Sequence, residues 1–281
     1  MESISTAEPW SAMKESPNWL QMPDEVMVNI FQRLHISEIL NSARKVCTTW
    51  LKICKYPAMW KVINMVKRQG KDWGWGKALT MELVDLSCGE LIDISIGSFG
   101  SDELLDHIVK RSRNLKRLCL VNCFRITGGE LSLAVERLPK LEELRLSKTY
   151  INAKDLEVIG RICPQLKSFK MCKVLLSESF DNHALAIADN MHELRHLDVS
   201  DTKMTNDRLE AIVNGCPHLE SLDVRMCYNL DLDGSLGKLC KKRIKDFKHS
   251  STQNRPFYHQ FSDSDDDQMY DDFSESDFFE D

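Results

Sequence analysis

Apolar residues recur along this chain in two rhythms. From residue 91 onward the pattern L-x-x-L-x-L returns six times, at Leu91 (LIDISI), Leu115 (LKRLCL), Leu141 (LEELRL), Leu166 (LKSFKM), Leu194 (LRHLDV) and Leu219 (LESLDV). The spacings of 24, 26, 25, 28 and 25 residues fall in the period of stacked strand–helix units, roughly 20–29 residues. Ten and seven positions before the later leucines stand Leu105 and Ile108, Leu131 and Ala134, Leu156 and Ile159, Ala184 and Ile187, Leu209 and Ile212. That i, i+3 spacing predicts an amphipathic helix ahead of each strand. Pro139, Pro164 and Pro217 mark the breaks between helix and strand, and Thr127 and Thr205 sit where helix N-caps are expected. One such unit cannot bury its apolar face, whereas a stack can.

Residues 18–60 follow a different rhythm. Pro23, Asp24 and Glu25 make a favourable helix start, with Val26, Ile30, Phe31 and Leu34 behind it at i, i+4, i+5 and i+8. A second helix is expected from Ser37, and a third carrying Val46, Trp50, Leu51 and Ile53 up to Pro57. About forty residues bury little surface by themselves, so exposed apolar groups here invite a partner.

Cys216-Pro217-His218-Leu219 through Cys227, and Leu115 through Cys123 with Ile126-Thr127, resemble the cysteine-containing type of leucine-rich repeat. Phe169 and Met171 take leucine positions, and Thr149, Val174 and Thr202 replace the second cysteine; core swaps of this kind are tolerated. The earlier segment resembles an F-box. Its motif is matched in order and spacing by Met22-Pro23-Asp24-Glu25-Val26, Ile30-Phe31, Leu34, Glu38-Ile39-Leu40, Val46-Cys47, Trp50 and Trp60, with Met22 replacing the usual Leu. The succession of the two, with strings such as DELLDHIVKRSRNLKRL and GCPHLESLDVRMC, resembles plant F-box/LRR-repeat proteins. The fold class this implies is α/β: a small all-α F-box followed by a curved leucine-rich-repeat solenoid, with parallel strands on the concave face and helices on the convex face. The expected division is an arm over 1–17, the F-box over 18–62, a helical bridge over 63–90, about six repeats over 91–248 and a disordered acidic tail over 249–281. Trp73 and Trp75 are expected to pack the bridge.

The resemblance implies a non-catalytic substrate receptor of a Skp adaptor–cullin–F-box ubiquitin ligase. The family's adaptor contacts map onto Met22, Pro23, Ile30, Phe31, Leu34, Ile39, Leu40, Val46, Cys47 and Trp50, although some of these must form the small domain's own core. The partners implied are a Skp-type adaptor, a cullin reached through it, and an unidentified protein target. The alternative is a repeat scaffold that binds the adaptor outside any cullin complex. Residues between the repeat leucines point to the concave face, where Arg117, Glu143, Arg145, Lys170, His196, Asp198, Asp223 and Arg225 are the candidate target-binding residues. The three arginines either grip acidic or phosphorylated groups or are merely solvated. Six repeats form an arc, so an enclosed small-molecule pocket is not expected.

Charge changes this picture at the C-terminal end. The 281 residues carry a net charge of −6, yet residues 262–281 hold ten Asp or Glu and no Lys or Arg. Without them 37 basic side chains face 33 acidic ones. The basic run Lys238, Lys241, Lys242, Arg243, Lys245, Lys248 precedes the tail and is expected to cap the last repeat. A mildly basic body without a basic, aromatic-laced stripe argues against nucleic-acid binding. No stretch is long and apolar enough to span a bilayer, and residues 1–10 do not read as a secretory signal, so nucleus and/or cytoplasm are expected. The ten cysteines include no C-x-x-C pair, and the eight histidines show no dyad or metal spacing. No catalytic residue, metal or cofactor is therefore expected. Cys119 and Cys172 are the two thiols expected on the concave face.

Overall fold

Caps and breakers divide the N-terminal stretch much as its apolar spacing predicts. In a computed structural model of the chain, which describes residues 19–66, 76–172 and 180–250, Pro23 precedes helix α1 (Asp24–Phe31), whose first turn carries Asp24 and Glu25. Helix α2 (Ile36–Asn41) is closed by a capping box: the His35 ring accepts from the Ser37 amide, while the Glu38 carboxylate accepts from the His35 amide at 2.8 Å. Helix α3 (Thr48–Ile53) starts at Cys47, whose Sγ accepts from the Trp50 amide at 3.4 Å. A short 3-10 turn begins at Pro57. Phe31, Ile36, Ile39, Ala43 and Ile53 fill the small core, and the compact unit ends at Met59.

The second unit, from Trp60 onward, is the repeat stack. Its elements alternate as β1 (Val62–Met65), α4 (Gly76–Leu86), β2 (Asp93–Ile96), α5 (Asp102–Arg111), β3 (Arg117–Val121), α6 (Gly128–Glu136), β4 (Glu143–Ser147), α7 (Ala153–Ile162), β5 (Ser168–Cys172), α8 (Asp181–Asn190), β6 (His196–Asp198), α9 (Asn206–Gly215), β7 (Ser221–Val224), α10 (Ser235–Arg243) and β8 (Asp246–His249). The strands form one parallel sheet in sequence order. Each crossover carries a helix, as parallel pairing requires. Ile63, Ile94, Leu118, Leu144, Phe169, Leu197, Leu222 and Phe247 stand in register across the sheet. Phe169 and Met171 thus occupy leucine positions, both at 1% exposure.

Three features depart from expectation. The sheet has a strand on each side of the six hexads. The expected helical bridge begins with β1, and β8 completes the other end. Both keep the hexad frame with other apolar residues in the leucine positions, Trp60, Ile63 and Met65 for β1 and Ile244 and Phe247 for β8. Trp60, the last motif element expected for the F-box, is buried within the repeat unit. Thr205 is an N-cap by position only. Its side chain caps no amide of α9; instead its hydroxyl and its own N–H both donate to Asp181 Oδ1 at 3.1 Å. Thr127 does cap α6, accepting from the Glu130 amide, while its own N–H and hydroxyl donate to Asp102. The expected arm, Trp73, Trp75, Val174 and most of the acidic tail lie outside the described residues.

The turns after β3, β4, β6 and β7 use a left-handed backbone. Asn122, Lys148, Asp201 and Met226, each seven positions after its repeat's first leucine, have φ of 50–61°. The amides of Asn122 and Asp201 donate forward to the Ser147 and Arg225 carbonyls of the next repeat at 2.9 Å. The cysteine column follows. Cys123 and Cys227 donate from Sγ to the Gly97 and Val199 carbonyls of the preceding repeat at 3.1 and 3.2 Å. Thr202 in the same column instead bonds within its own repeat, its hydroxyl donating to Val199 O at 2.8 Å.

Candidate interaction surfaces

The ten candidate residues of the N-terminal unit separate into two groups. Phe31, Ile39 and Leu40 are core, with Phe31 only 1% exposed. Pro23 and Val46 are exposed, Val46 at 60%. Met22, Ile30, Leu34, Cys47 and Trp50 are half-buried. Ile30 and Phe31 are neighbours in sequence but lie about 100° apart on the helix, which sends one to the surface and the other inward. Trp50 packs edge-on against Phe31, ring centroids 4.9 Å apart, and against Trp19 at 6.1 Å. Its indole is thereby held in one orientation at the surface. Three apolar groups missing from the motif-derived set share this exposure: Trp19, Val26 and Leu51. Val26 was within reach of pattern reading, since it extends Ile30 and Leu34 into a stripe at i, i+4 and i+8. Val26, Ile30 and Leu34, together with Asn29 and Arg33, line an open apolar groove along α1. A unit this small with so much apolar surface in water is built to be covered.

The strands align the other candidates into two rows across the sheet. One runs Asp93, Arg117, Glu143, Ser168, His196, Ser221, Asp246, and the other Ser95, Cys119, Arg145, Lys170, Asp198, Asp223, Lys248. Arg225 stands one step further along β7's chain. Most of these charges compensate one another. Arg117 Nε donates to Asp93 Oδ2 at 2.7 Å, Arg145 donates to Glu143, and Lys170 pairs with Asp198 at 2.7 Å. Arg225 forks onto both Asp223 oxygens, Nη2 donating to Oδ2 at 2.7 Å and Nε to Oδ1 at 3.1 Å. All three candidate arginines therefore have carboxylate partners within the face, and an anionic ligand would have to compete with these. Burial works against the Asp198 carboxylate, but Lys170 and the Ser200 groups outweigh it and hold its pKa below the usual range. Burial would likewise lower Lys170, and Asp198 reverses that. At Asp93 burial prevails over Arg117 and raises the carboxyl. His196 is exposed.

Cys119 lies in the second row and Cys172 one step beyond it, opposite Ser147, but both are buried. Burial pushes Cys119 and Cys163 up to about 11, and Cys123 and Cys216 to about 12. Such thiols are packing groups and not nucleophiles at neutral pH. Among the described residues no His, Cys, Asp and Glu cluster could hold a metal ion, and no helix is long and apolar enough to cross a membrane.

A family model described as F-box-like matches residues 19–65, a span that takes in the helical unit and β1. Over 260 residues the chain is 41% identical to a putative F-box protein of Arabidopsis thaliana, At4g05475, covering 86% of this chain and 83% of that one. The chain belongs to the plant F-box/LRR-repeat family. Another member, the putative F-box/LRR-repeat protein 23 of Arabidopsis thaliana, is 41% identical over 257 residues, covering 88% of this chain. This F-box/LRR chain spans 57% of that relative's length. Among solved structures it resembles a chain from the yeast Rad7 and Elc1 complex, with a TM-score of 0.50 and 16% identity, covering 80% of this chain and 59% of that one. At that identity the likeness supports the repeat fold alone.

Proposed function

We propose that this F-box/LRR protein is the substrate-recognition subunit of a Skp adaptor–cullin–F-box ubiquitin ligase in the nucleus or cytoplasm. The F-box unit engages the adaptor, and the polar face of the sheet holds a protein target without performing chemistry itself. The observation that carries this reading is the division of the F-box residues into a small core and an apolar surface, Pro23, Ile30, Leu34, Val46 and Trp50, attached to a repeat stack. Among the Arabidopsis relatives several names pair the F-box with LRR repeats, and the yeast neighbour was solved as a complex of Rad7 with Elc1. The relatives' names fit a receptor in which an F-box is joined to a repeat surface.

The test is co-purification of the full chain with a Skp-type adaptor, comparing wild type with Leu34→Asp/Val46→Asp. Both positions reach the surface, so the fold should survive. Phe31→Ala would empty the core and confound the result. Wild type should retain the adaptor, and the variant should lose it by at least about tenfold, or about 1.4 kcal/mol. Equal retention would overturn the reading. Finding adaptor without cullin in complexes isolated from cells would favour the scaffold alternative.

A further inference from the structure

The stack ends on a surface whose charges the fold leaves uncompensated. Along the residue just before each strand's pairing region, two interior cations are answered across the repeat boundary, Lys167 by Glu142 at 3.4 Å and Arg195 by Glu220 at 2.8 Å, while Lys116 forms no ion pair among the described residues. Lys245 is the next member of this column, one position ahead of Asp246, which pairs with Ser221. No further repeat follows among the described residues to answer it. Beside it, Lys238, Lys241, Lys242 and Arg243 of α10 are exposed. None of these five forms an ion pair among the described residues, whereas Lys248 is answered by Asp246 at 3.4 Å. Cations in the last turn of a helix complement its dipole, which accounts for Lys241, Lys242 and Arg243 but not for Lys238 or Lys245. The outer edge of β8 is also unpaired among the described residues, and natural sheets generally protect such an edge. Repeat stacks need a polar terminal cap for the same reason.

The same chain carries the complementary charge. Ten carboxylates and no cation lie in residues 262–281. Twelve residues separate Ser250 from Asp263, enough to reach about 40 Å when extended, whereas α10 is only about 14 Å long. We propose that the acidic segment, centred on Asp263 to Asp272, docks in cis on the terminal repeat. Its carboxylates answer Lys238, Lys241, Lys242, Arg243 and Lys245, and the segment caps the end of the stack. The proposal does not depend on the ligase reading.

Zero-length carboxyl–amine crosslinking of the full chain tests it, using an equal mixture of nitrogen-14 and nitrogen-15 chains with mass-spectrometric mapping. Links from Asp263–Asp272 to Lys241, Lys242 and Lys245 should form within single chains. They should disappear in 1 M salt, where the screening length falls to about 3 Å. They should also fall in D265N/D266N/D267N, whose changes lie outside the repeats, and the links to Lys241 and Lys245 should fall in K238E/K242E. Equal coupling of the tail to the exposed control lysines Lys55 and Lys154, or links only between light and heavy chains, would overturn the proposal.

Discussion

Single residues set how closely this structure can pack. Gly215, at the end of α9, faces the backbone of Ala188 on α8, and a Cβ placed there would overlap the Ala188 carbonyl. Backbone cannot yield as a flexible side chain can, so Gly215→Ala should cost about 1–3 kcal/mol by overpacking, read as a lower urea midpoint at unchanged slope. The thiols make a second case at this scale. Burial raises Cys119, Cys123, Cys163, Cys216 and Cys227, while Cys88 is exposed and Cys47 half-buried. Brief alkylation at pH 7.5 should therefore label Cys88 first, and these five should react only after denaturation, as peptide mapping would show. The burial of the repeat cysteines was legible from their columns. Cys119 and Cys172 were not so readable, because period-2 alternation assigns a face without saying how tightly neighbouring rows close over it.

The repeat turn and the inter-strand pair are the units at the next scale. The left-handed position is held by Asn122 and Asp201 in two repeats, residue types whose short polar side chains tolerate that region, but by Met226 at φ 61° in another. Met226→Asn should raise stability by about 0.5–1 kcal/mol, measured by thermal or urea unfolding. The Lys170–Asp198 pair joins β5 to β6. Because the folded state holds the Asp198 carboxyl below its ordinary value of about 3.9, its stabilisation is present above that pH and is lost as pH falls through the lower, folded value. Asp198→Asn should cost about 1–2 kcal/mol at pH 7, and the gap to wild type should shrink in urea titrations run at progressively lower pH below 4. The hexads made β2 to β7 readable before any coordinates, since leucine spacing and strand period agree there. Strands β1 and β8 were hidden because their frame positions hold Trp60, Ile63 and Met65, or Ile244 and Phe247, so a search on leucines passes over them. Within the F-box, the motif named the right segment but could not divide Ile30 from Phe31. That division depends on where the helix axis lies against α3, which spacing alone does not fix.

For the molecule as a whole, the F-box unit and the repeat stack are stabilised by different means. The stack gains an interface with every repeat added. Residues 19–59 have a small core and exposed apolar groups, so their stability should depend on what covers them. Adaptor at a hundredfold excess over its dissociation constant should add about 2.7 kcal/mol to the F-box unit, seen as a rise in the melting transition reported by the indoles at Trp19 and Trp50. The repeat transition, followed by far-ultraviolet dichroism, should stay in place; a shift there instead would contradict this division of stability. The strand order carries a mechanical consequence as well. Since β1 to β8 pair only with their neighbours in sequence, a pull on the chain's end loads one ladder at a time, never several in parallel. The stack should then give way as a ratchet of small yields starting at β8, each freeing about 25 residues, or roughly 80–90 Å of slack, while the repeats behind it stay folded.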